Sequence, residues 1–125
     1  MDKLRRTPDV LEVLGNGAQR KPYIYVRDLV DAILFIRSRS HDQLNVYNVG
    51  VETATRVSDI AQMVIEAMRC PARINYTGGE RGWVGDVPSY AYNLAKLHAL
   101  GWTAPRTSDA SVRLAIERMM AAEMS

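Results

Sequence analysis

Short β-rich runs alternate along this chain with amphipathic helical patterns, and this alternation restricts its fold more than any other feature of the sequence. Extended segments are predicted at residues 11–14, 23–26, 46–49 and 74–76. Helices are predicted at residues 26–37, 57–68 and 92–100, and from Thr107 or Ser108 onward. This order indicates an α/β protein, but three or four short strands and about four helices make only a small mixed lobe with an incomplete sheet.

The length and composition favour a single domain over residues 1–125. With 125 residues, of which 47% are hydrophobic, the chain can form one core. The net charge of +2 gives no support for a nucleic-acid partner. No apolar run approaches the ~18 residues of a membrane span, and the charged amino terminus lacks the apolar region of a secretory signal. We therefore expect a cytoplasmic protein without a membrane partner, in which the single cysteine, Cys70, is a reduced and packed thiol.

Three of the predicted helices carry an apolar stripe at helical spacing. The first stripe consists of Val26, Leu29, Val30, Ile33 and Leu34. The second consists of Val57, Ile60, Ala61, Val64, Ile65 and Met68. Thr55 is the predicted N-cap of this second helix. The third stripe, the predicted buried side of the last helix, consists of Val112, Ala115, Ile116, Met119 and Met120.

A glycine turn followed by two basic residues is the first candidate for a binding site. Gly15-Asn16-Gly17 begins like a dinucleotide-binding loop, but Arg20 stands at the third glycine position and the next element is predicted to be extended. The turn therefore lacks the helix amides that hold a pyrophosphate. Arg20 and Lys21, side by side after the turn, could neutralise a diphosphate, the lysine as a point charge and the arginine as a fork. A solvated basic turn, common on protein surfaces, is the alternative.

The glycine-rich loop of residues 78–86 is the second candidate. Its glycines allow the backbone to approach a ligand closely, and Arg81 could clamp a phosphate or the edge of a ribose. Trp83, in the same loop, is either a hydrophobic plug or a platform on which a ring stacks, and the sequence leaves both open.

Residues typical of catalysis or metal binding do not form a convincing set. Tyr92 and Lys96 match a Tyr-x-x-x-Lys spacing, but no nucleotide-binding βαβ unit precedes them in the chain. A surface helix with one packed aromatic side chain explains the same pattern. His41 and His98 are isolated, which argues against a metal site. We therefore predict no catalytic residue, no cofactor-binding residue and no metal ligand in this chain.

Four motifs, in the same order and over most of the chain, carry a resemblance to a known family. They are Leu-Glu-Val-Leu-Gly-Asn-Gly-x-Gln-Arg-Lys-x-Tyr-Ile-Tyr-Val-x-Asp at residues 11–28, Val-Tyr-Asn-Val-Gly at 46–50, the Gly-Asp-Val loop with its arginine at 81–87 and Leu-Gly-Trp-x-x-Pro at 100–105. The chain resembles the carboxyl-terminal half of extended short-chain dehydrogenase/reductases, the NAD-dependent nucleoside-diphosphate-sugar epimerases and dehydratases such as UDP-glucose 4-epimerase.

The resemblance implies a role in substrate binding. In that family the amino-terminal Rossmann domain binds NAD and carries the catalytic tyrosine and lysine, and the smaller carboxyl-terminal region holds the nucleotide-sugar. The implied substrate-binding residues here are Arg20, Lys21, Tyr23, Arg81 and Asp86. Lys21 stands where many members have an arginine that meets the diphosphate, so the cation here has no fork.

The expected function is therefore a nucleotide-sugar-binding domain that is not catalytically competent alone, with NAD held by the Rossmann half. The expected partners are a nucleotide-sugar and either a second copy or that missing half. A structural module that self-associates through the uncovered interdomain surface is the alternative. A small reductase that uses Tyr92 and Lys96 is a third interpretation, and it would require NAD binding. The base, the hexose and the parent chemistry stay open.

Overall fold

The computed structural model describes residues 1–123, and within them five helices and four short strands form an α/β structure. The helices are Asp2–Arg6 (α1), Val26–Arg39 (α2), Val57–Met68 (α3), Ala95–Leu100 (α4) and Ser108–Glu123 (α5). The strands are Val10–Val13 (β1), Arg20–Lys21 (β2), Thr55–Arg56 (β3) and Arg73–Tyr76 (β4). The predicted small mixed α/β architecture is confirmed, although α1 is an element that the sequence patterns do not predict.

The main core lies beneath a parallel pair of strands. In this pair Leu11 of β1 lies opposite Ile74 of β4. The buried cluster takes residues from α1, β1 and α3, and consists of Leu4, Leu11, Val13, Ala61 and Ile65. The alternation of buried and exposed residues in β1 places Leu11 and Val13 on the same face. Because β1 leads directly into the Gly15 turn, this core supports the base of that turn.

The second sheet, β2 with β3, is not predicted from the sequence as a pairing. Lys21 lies opposite Thr55 in this antiparallel ladder. Thr55 is not the N-cap of α3: it is buried in β3, and its hydroxyl donates to Asp109 at 2.6 Å and lies 2.6 Å from the Ser108 hydroxyl. The first amides of α3 instead donate to main-chain carbonyls of the glycine turn and the residues after it. The backbone of the turn therefore replaces the side-chain cap that local sequence favours.

The apolar stripe of α2 faces solvent instead of a core. The exposed fractions of Val26, Val30, Ile33 and Leu34 are 62%, 48%, 53% and 56%. The buried residues of the helix are Asp28 and Ala32, on its other side. The helix itself is confirmed, and four of the five residues of its apolar stripe are exposed, while Leu29 is half-buried.

Besides the Thr55 cap, three local predictions are wrong. The extended run predicted at residues 23–26 forms no strand, because the chain pairs earlier, at Arg20–Lys21, and α2 begins at Val26. Residues 46–49 form no strand, because no strand of the described residues lies beside them and a β-rich run needs a partner to form a ladder. The fourth helix begins at Ala95 rather than at residue 92, so Tyr92 precedes it. The predicted end of this helix at Gly101 is confirmed, since Gly101 has a φ of +104°.

The last helix, α5, closes a second small core against α3. Val112 and Ile116 are buried with Met63, and Met119, also in the predicted buried stripe, is 53% exposed. Of Thr107 and Ser108, the two residues whose types favour a cap at the start of this helix, Thr107 is the cap, because its hydroxyl accepts the Ala110 amide at 3.3 Å.

Cys70 packs as a free thiol against the main core. None of the helices described is both long and apolar enough to cross a membrane.

Candidate functional site

The two candidate loops, far apart in the sequence, lie side by side in the structure. We call residues 15–21 and 77–86 together the loop seam. Gly15 donates its amide to the Thr77 hydroxyl at 2.9 Å, and Gly78 donates its amide to the Gly15 carbonyl at 3.0 Å. The parallel pairing of β1 with β4 causes this, because both loops leave the same end of that sheet. The structure thus brings the two separately predicted candidates together.

Lys21 and Asp86 form the central ion pair of the loop seam. The Lys21 ammonium donates to one Asp86 oxygen, and the Gly82 amide donates to the other at 3.1 Å. Asp86 is 7% exposed, so its carboxylate is buried with these partners. The hydrogen bond from Lys21 lowers the pKa of Asp86, and the same bond raises the pKa of Lys21. Lys21 is therefore already neutralised by a protein carboxylate.

Arg20 does not share a face with Lys21. Consecutive residues of a strand point to opposite sides, and Arg20 lies opposite the exposed Arg56 on β3. Its Nε donates to the Ala54 carbonyl at 3.2 Å. The two basic side chains therefore cannot grip one phosphate from the same side of β2.

Gln19 is a buried residue of the loop seam that no sequence motif marks as functional. It is 2% exposed, and its side-chain amide donates to the Leu14 carbonyl at 3.3 Å. A Cβ added at Gly15 would overlap that amide nitrogen, and one added at Gly82 would lie 3.3 Å from it. The missing side chains of two glycines, one from each loop, thus make room for Gln19. A glutamine between a glycine turn and a basic pair gives no periodic signal, so only the fold reveals it.

Arg81 is the exposed cation of the second loop of the loop seam. Its side chain has no carboxylate partner among residues 1–123, and its Nη1 donates to the Val84 carbonyl at 3.3 Å. A guanidinium that bonds one carbonyl keeps most of its five donor hydrogens free for an anion.

Tyr23 has a packing role in this structure. Its ring lies against the second core cluster, and its amide donates to the Ser108 hydroxyl at 3.0 Å. Burial raises the pKa of the Tyr23 phenol, and the nearby Lys21 charge partly opposes that change. Tyr23 thus joins β2 to α5.

Tyr92 and Lys96 do not form a dyad. Tyr92 makes an edge-to-face contact with Tyr90, with ring centroids 5.5 Å apart. Lys96 donates to the Val46 carbonyl at 2.8 Å and lies 4.4 Å from the centre of the Tyr47 ring. Since Tyr92 also lies outside α4, the Tyr-x-x-x-Lys spacing does not place the two side chains on one helix.

Three comparisons with known proteins agree on one family. Residues 3–50 match the NAD dependent epimerase/dehydratase family. Over 99% of its length the chain superposes on 39% of a crystal structure of UDP-galactose 4-epimerase, with 38% identity and a TM-score of 0.81. These findings support a relationship to the NAD-dependent epimerase/dehydratase family.

Two further relatives of this epimerase/dehydratase-like chain have related substrates or ligands. MoeE5, solved in complex with UDP-glucuronic acid and NAD, is 25% identical with a TM-score of 0.75, over 95% of this chain and 38% of that one. The dTDP-D-glucose 4,6-dehydratase of Mus musculus is 27% identical over 92 residues, which are 70% of this chain and 26% of that protein. The chain thus spans less than half the length of these relatives.

The glycine turn of this epimerase/dehydratase-like chain does not fit NAD. The chain passes from Gly17 to Arg20 and into β2, as the sequence predicts, and not into a helix. The helix start that does lie beside the turn is that of α3, and its first two amides, of Val57 and Ser58, donate to the carbonyls of Gln19 and Gly17 at 2.9 and 3.0 Å. Because protein carbonyls occupy these amides, the turn offers no helix start to a pyrophosphate.

We expect the Lys21–Asp86 pair to make the stability of the chain depend on pH. Asp86 has a pKa below its usual 3.8, so the pair stabilises the fold above that value and loses its effect as the pH falls through the folded pKa. Lys21 has a pKa above 10.5, so the effect is also lost as the pH rises through that higher value. Lys21→Met should therefore destabilise the chain most near neutral pH, with a smaller loss at about pH 3, measured by urea unfolding.

Lys3→Met is the matched control for this experiment. It breaks an ion pair with Glu12 at 3.5 Å in which both side chains are more than half exposed. Such a pair contributes little because water screens it, so Lys3→Met should leave the urea midpoint nearly unchanged at both pH values. An equal loss in the two variants would contradict the assignment of Lys21–Asp86 as the stabilising pair.

Proposed function

We propose that this chain is the nucleotide-sugar-binding part of an NAD-dependent epimerase or dehydratase, and that it does not turn over substrate alone. NAD binding and hydride transfer would then belong to a second, Rossmann part of the enzyme. The proposal includes a cytoplasmic location. The loop seam is the main support for this binding role, because it contains an exposed arginine and a lysine paired with a carboxylate. The similarity to a UDP-galactose 4-epimerase supports the choice of ligand.

Arg81 is the principal anchor in this proposal. A diphosphate carries charge that a guanidinium can meet with two parallel hydrogen bonds, and Arg81 has no competing carboxylate among the described residues. Lys21, whose charge Asp86 balances, would contribute its remaining ammonium hydrogens as donors. Asp86 fixes the loop that carries Arg81 through the Gly82 amide. Arg20, on the other face of β2, would act from the rim of the site.

Binding of the diphosphate would position the hexose for a reaction that takes place in the Rossmann part. A ligand held through its diphosphate has its hexose placed at a set distance from the anchor, and such remote binding energy orients the reacting carbon. Tyr23, two residues after Lys21, would contribute by attaching the end of β2 to α5. In this proposal the chain binds and orients, and it moves no proton or hydride.

The exposed face of α2 supports the proposal that a second part packs here. Val30 and Ile33, both about half exposed, lie on one side of a helix whose neighbouring Asp28 is buried. One oxygen of Asp28 pairs with Arg106, and the other is buried without a partner. Because Asp28 lies on the opposite side of the helix, only the exposed apolar side chains argue for a covering domain. Self-association through the same face is the alternative that the sequence suggests.

The proposed anchor is tested by titrating UDP-glucose into the chain at low ionic strength by calorimetry. Arg81→Ala should weaken binding about ten- to hundredfold, because a charge-assisted hydrogen bond to a phosphate is lost. Arg118→Ala, which removes an exposed arginine on α5, is the control and should bind as the unmodified chain does. If the unmodified chain, Arg81→Ala and Arg118→Ala have equal dissociation constants, Arg81 is not the anchor.

A further inference from the structure

Trp83 begins a tight turn and folds over it. Asp86 donates its amide to the Trp83 carbonyl at 3.0 Å, which closes a four-residue turn over residues 83–86. A Cβ added at Gly85 would overlap the benzo ring of Trp83, so the absence of a side chain there lets the ring lie against the backbone. One side of the indole therefore has a fixed support.

The rest of the indole is open to solvent. Trp83 is 66% exposed and the next residue, Val84, is 93% exposed, so neither plugs a core. A tryptophan supported on one side and open on the other can accept a planar ring by stacking. The exposure of Trp83 argues against the plug, one of the two roles that the sequence leaves open, and favours the platform.

Hydrogen bonds within the loop and an ion pair to Lys21 hold the turn beneath Trp83. Asp86, the last residue of the turn, is bound by the Lys21 ammonium and by the Gly82 amide. Arg81 reaches across the turn to the Val84 carbonyl at 3.3 Å. An aromatic platform and a guanidinium with free donors are therefore carried by the same short, tethered loop.

We propose that Trp83 stacks on the nucleobase of the ligand while Arg81 binds its phosphates, an assignment that rests on the proposed function. Every nucleobase has a π-face, so a stacking contact binds all bases and discriminates weakly among them. The platform therefore contributes affinity for nucleotides as a class. It adds nothing for a ligand that has phosphates but no base.

The test uses residues 1–125 in a Trp102→Phe background, in which Trp83 is the only tryptophan because the sequence has two. UDP should quench the fluorescence of Trp83, and pyrophosphate should leave it unchanged. Calorimetry should show that Trp83→Ala weakens UDP about 5- to 100-fold and leaves pyrophosphate binding unaltered. Trp83→Phe should recover part of the lost UDP affinity, and Arg81→Ala should weaken both ligands.

The outcomes separate this inference from the proposed function. If UDP binds but does not quench the fluorescence of Trp83, and Trp83→Ala does not change its dissociation constant, the stacking role is overturned. The nucleotide-binding function then stays in place. Equal weakening of UDP and pyrophosphate by Trp83→Ala also overturns it, since that pattern means a damaged turn rather than a lost stack. If calorimetry detects no UDP binding to the unmodified chain, both proposals fall.

Discussion

Gly15→Ala should lower the free energy of unfolding by about 2–5 kcal/mol, as measured by urea denaturation. Gly15 has a φ of +81°, a conformation that costs an L side chain about 1–2 kcal/mol. Its new Cβ would also overlap the Gln19 amide and lie 3.0 Å from the Arg81 carbonyl, and overpacking of this kind adds about 1–3 kcal/mol. Because Gln19 is buried, it cannot swing into solvent without leaving its place in the loop seam.

Gly79→Ala separates the two contributions. Gly79 has a φ of +82°, almost the same as that of Gly15, but a Cβ there would meet nothing within 4 Å. Gly79→Ala should therefore lower the free energy of unfolding only by the backbone contribution of about 1–2 kcal/mol. If Gly15→Ala is no more damaging than Gly79→Ala, then Gln19 and the Arg81 backbone do not pack against Gly15 as the structure shows.

Leu4→Ala should destabilise the chain by about 2–5 kcal/mol, since a buried leucine is lost and a cavity is left. Leu4 is 1% exposed and lies in the main core with Leu11 and Val13 of β1. The expected result is a lower urea midpoint together with weaker UDP-glucose binding at concentrations of urea near that midpoint. The binding loss would follow from unfolding, because β1 carries the Gly15 turn.

Leu44→Ala is the control for the core prediction. Leu44 is 79% exposed, so its removal leaves no cavity and should change the free energy of unfolding by less than about 0.5 kcal/mol. A similar midpoint for Leu4→Ala and Leu44→Ala would show that α1 does not dock on the main core.

Both sets of variants concern how the loop seam is built. Its functional groups are side chains of two loops, but their relative positions depend on the β1–β4 pair and on glycines that admit Gln19. Disturbing either support should therefore move the side chains of Arg81 and Trp83 although neither residue is replaced. This is why the strongest predicted effects lie at residues that would not contact a ligand.

Most local elements of this protein can be predicted from its sequence. The spacing of apolar residues predicts α2, α3 and α5, and β-rich runs predict β1 and β4. Gly101 ends α4 and Thr107 caps α5, as their residue types predict. These features depend on neighbours within a few positions, so a linear pattern contains the information that decides them.

Features that depend on residues far away in the sequence are not predicted in this way. Residues 46–49 have strand propensity, but propensity forms no ladder without a strand alongside. Leu4 lies in a charged stretch with no periodic signal, yet it is almost completely buried. The stripe on α2 is predicted correctly as a helix pattern, but its exposure follows from what packs against it and not from its spacing.

The sequence by itself determined the α/β class, most of the helices, the family resemblance and the two loops worth examining. Only the tertiary structure decided that the loops meet, that Asp86 neutralises Lys21, that Arg20 faces away from it and that Trp83 is open to solvent. The physical reason is that helix and turn signals are local, whereas ion pairing, strand register and burial join residues that lie tens of positions apart.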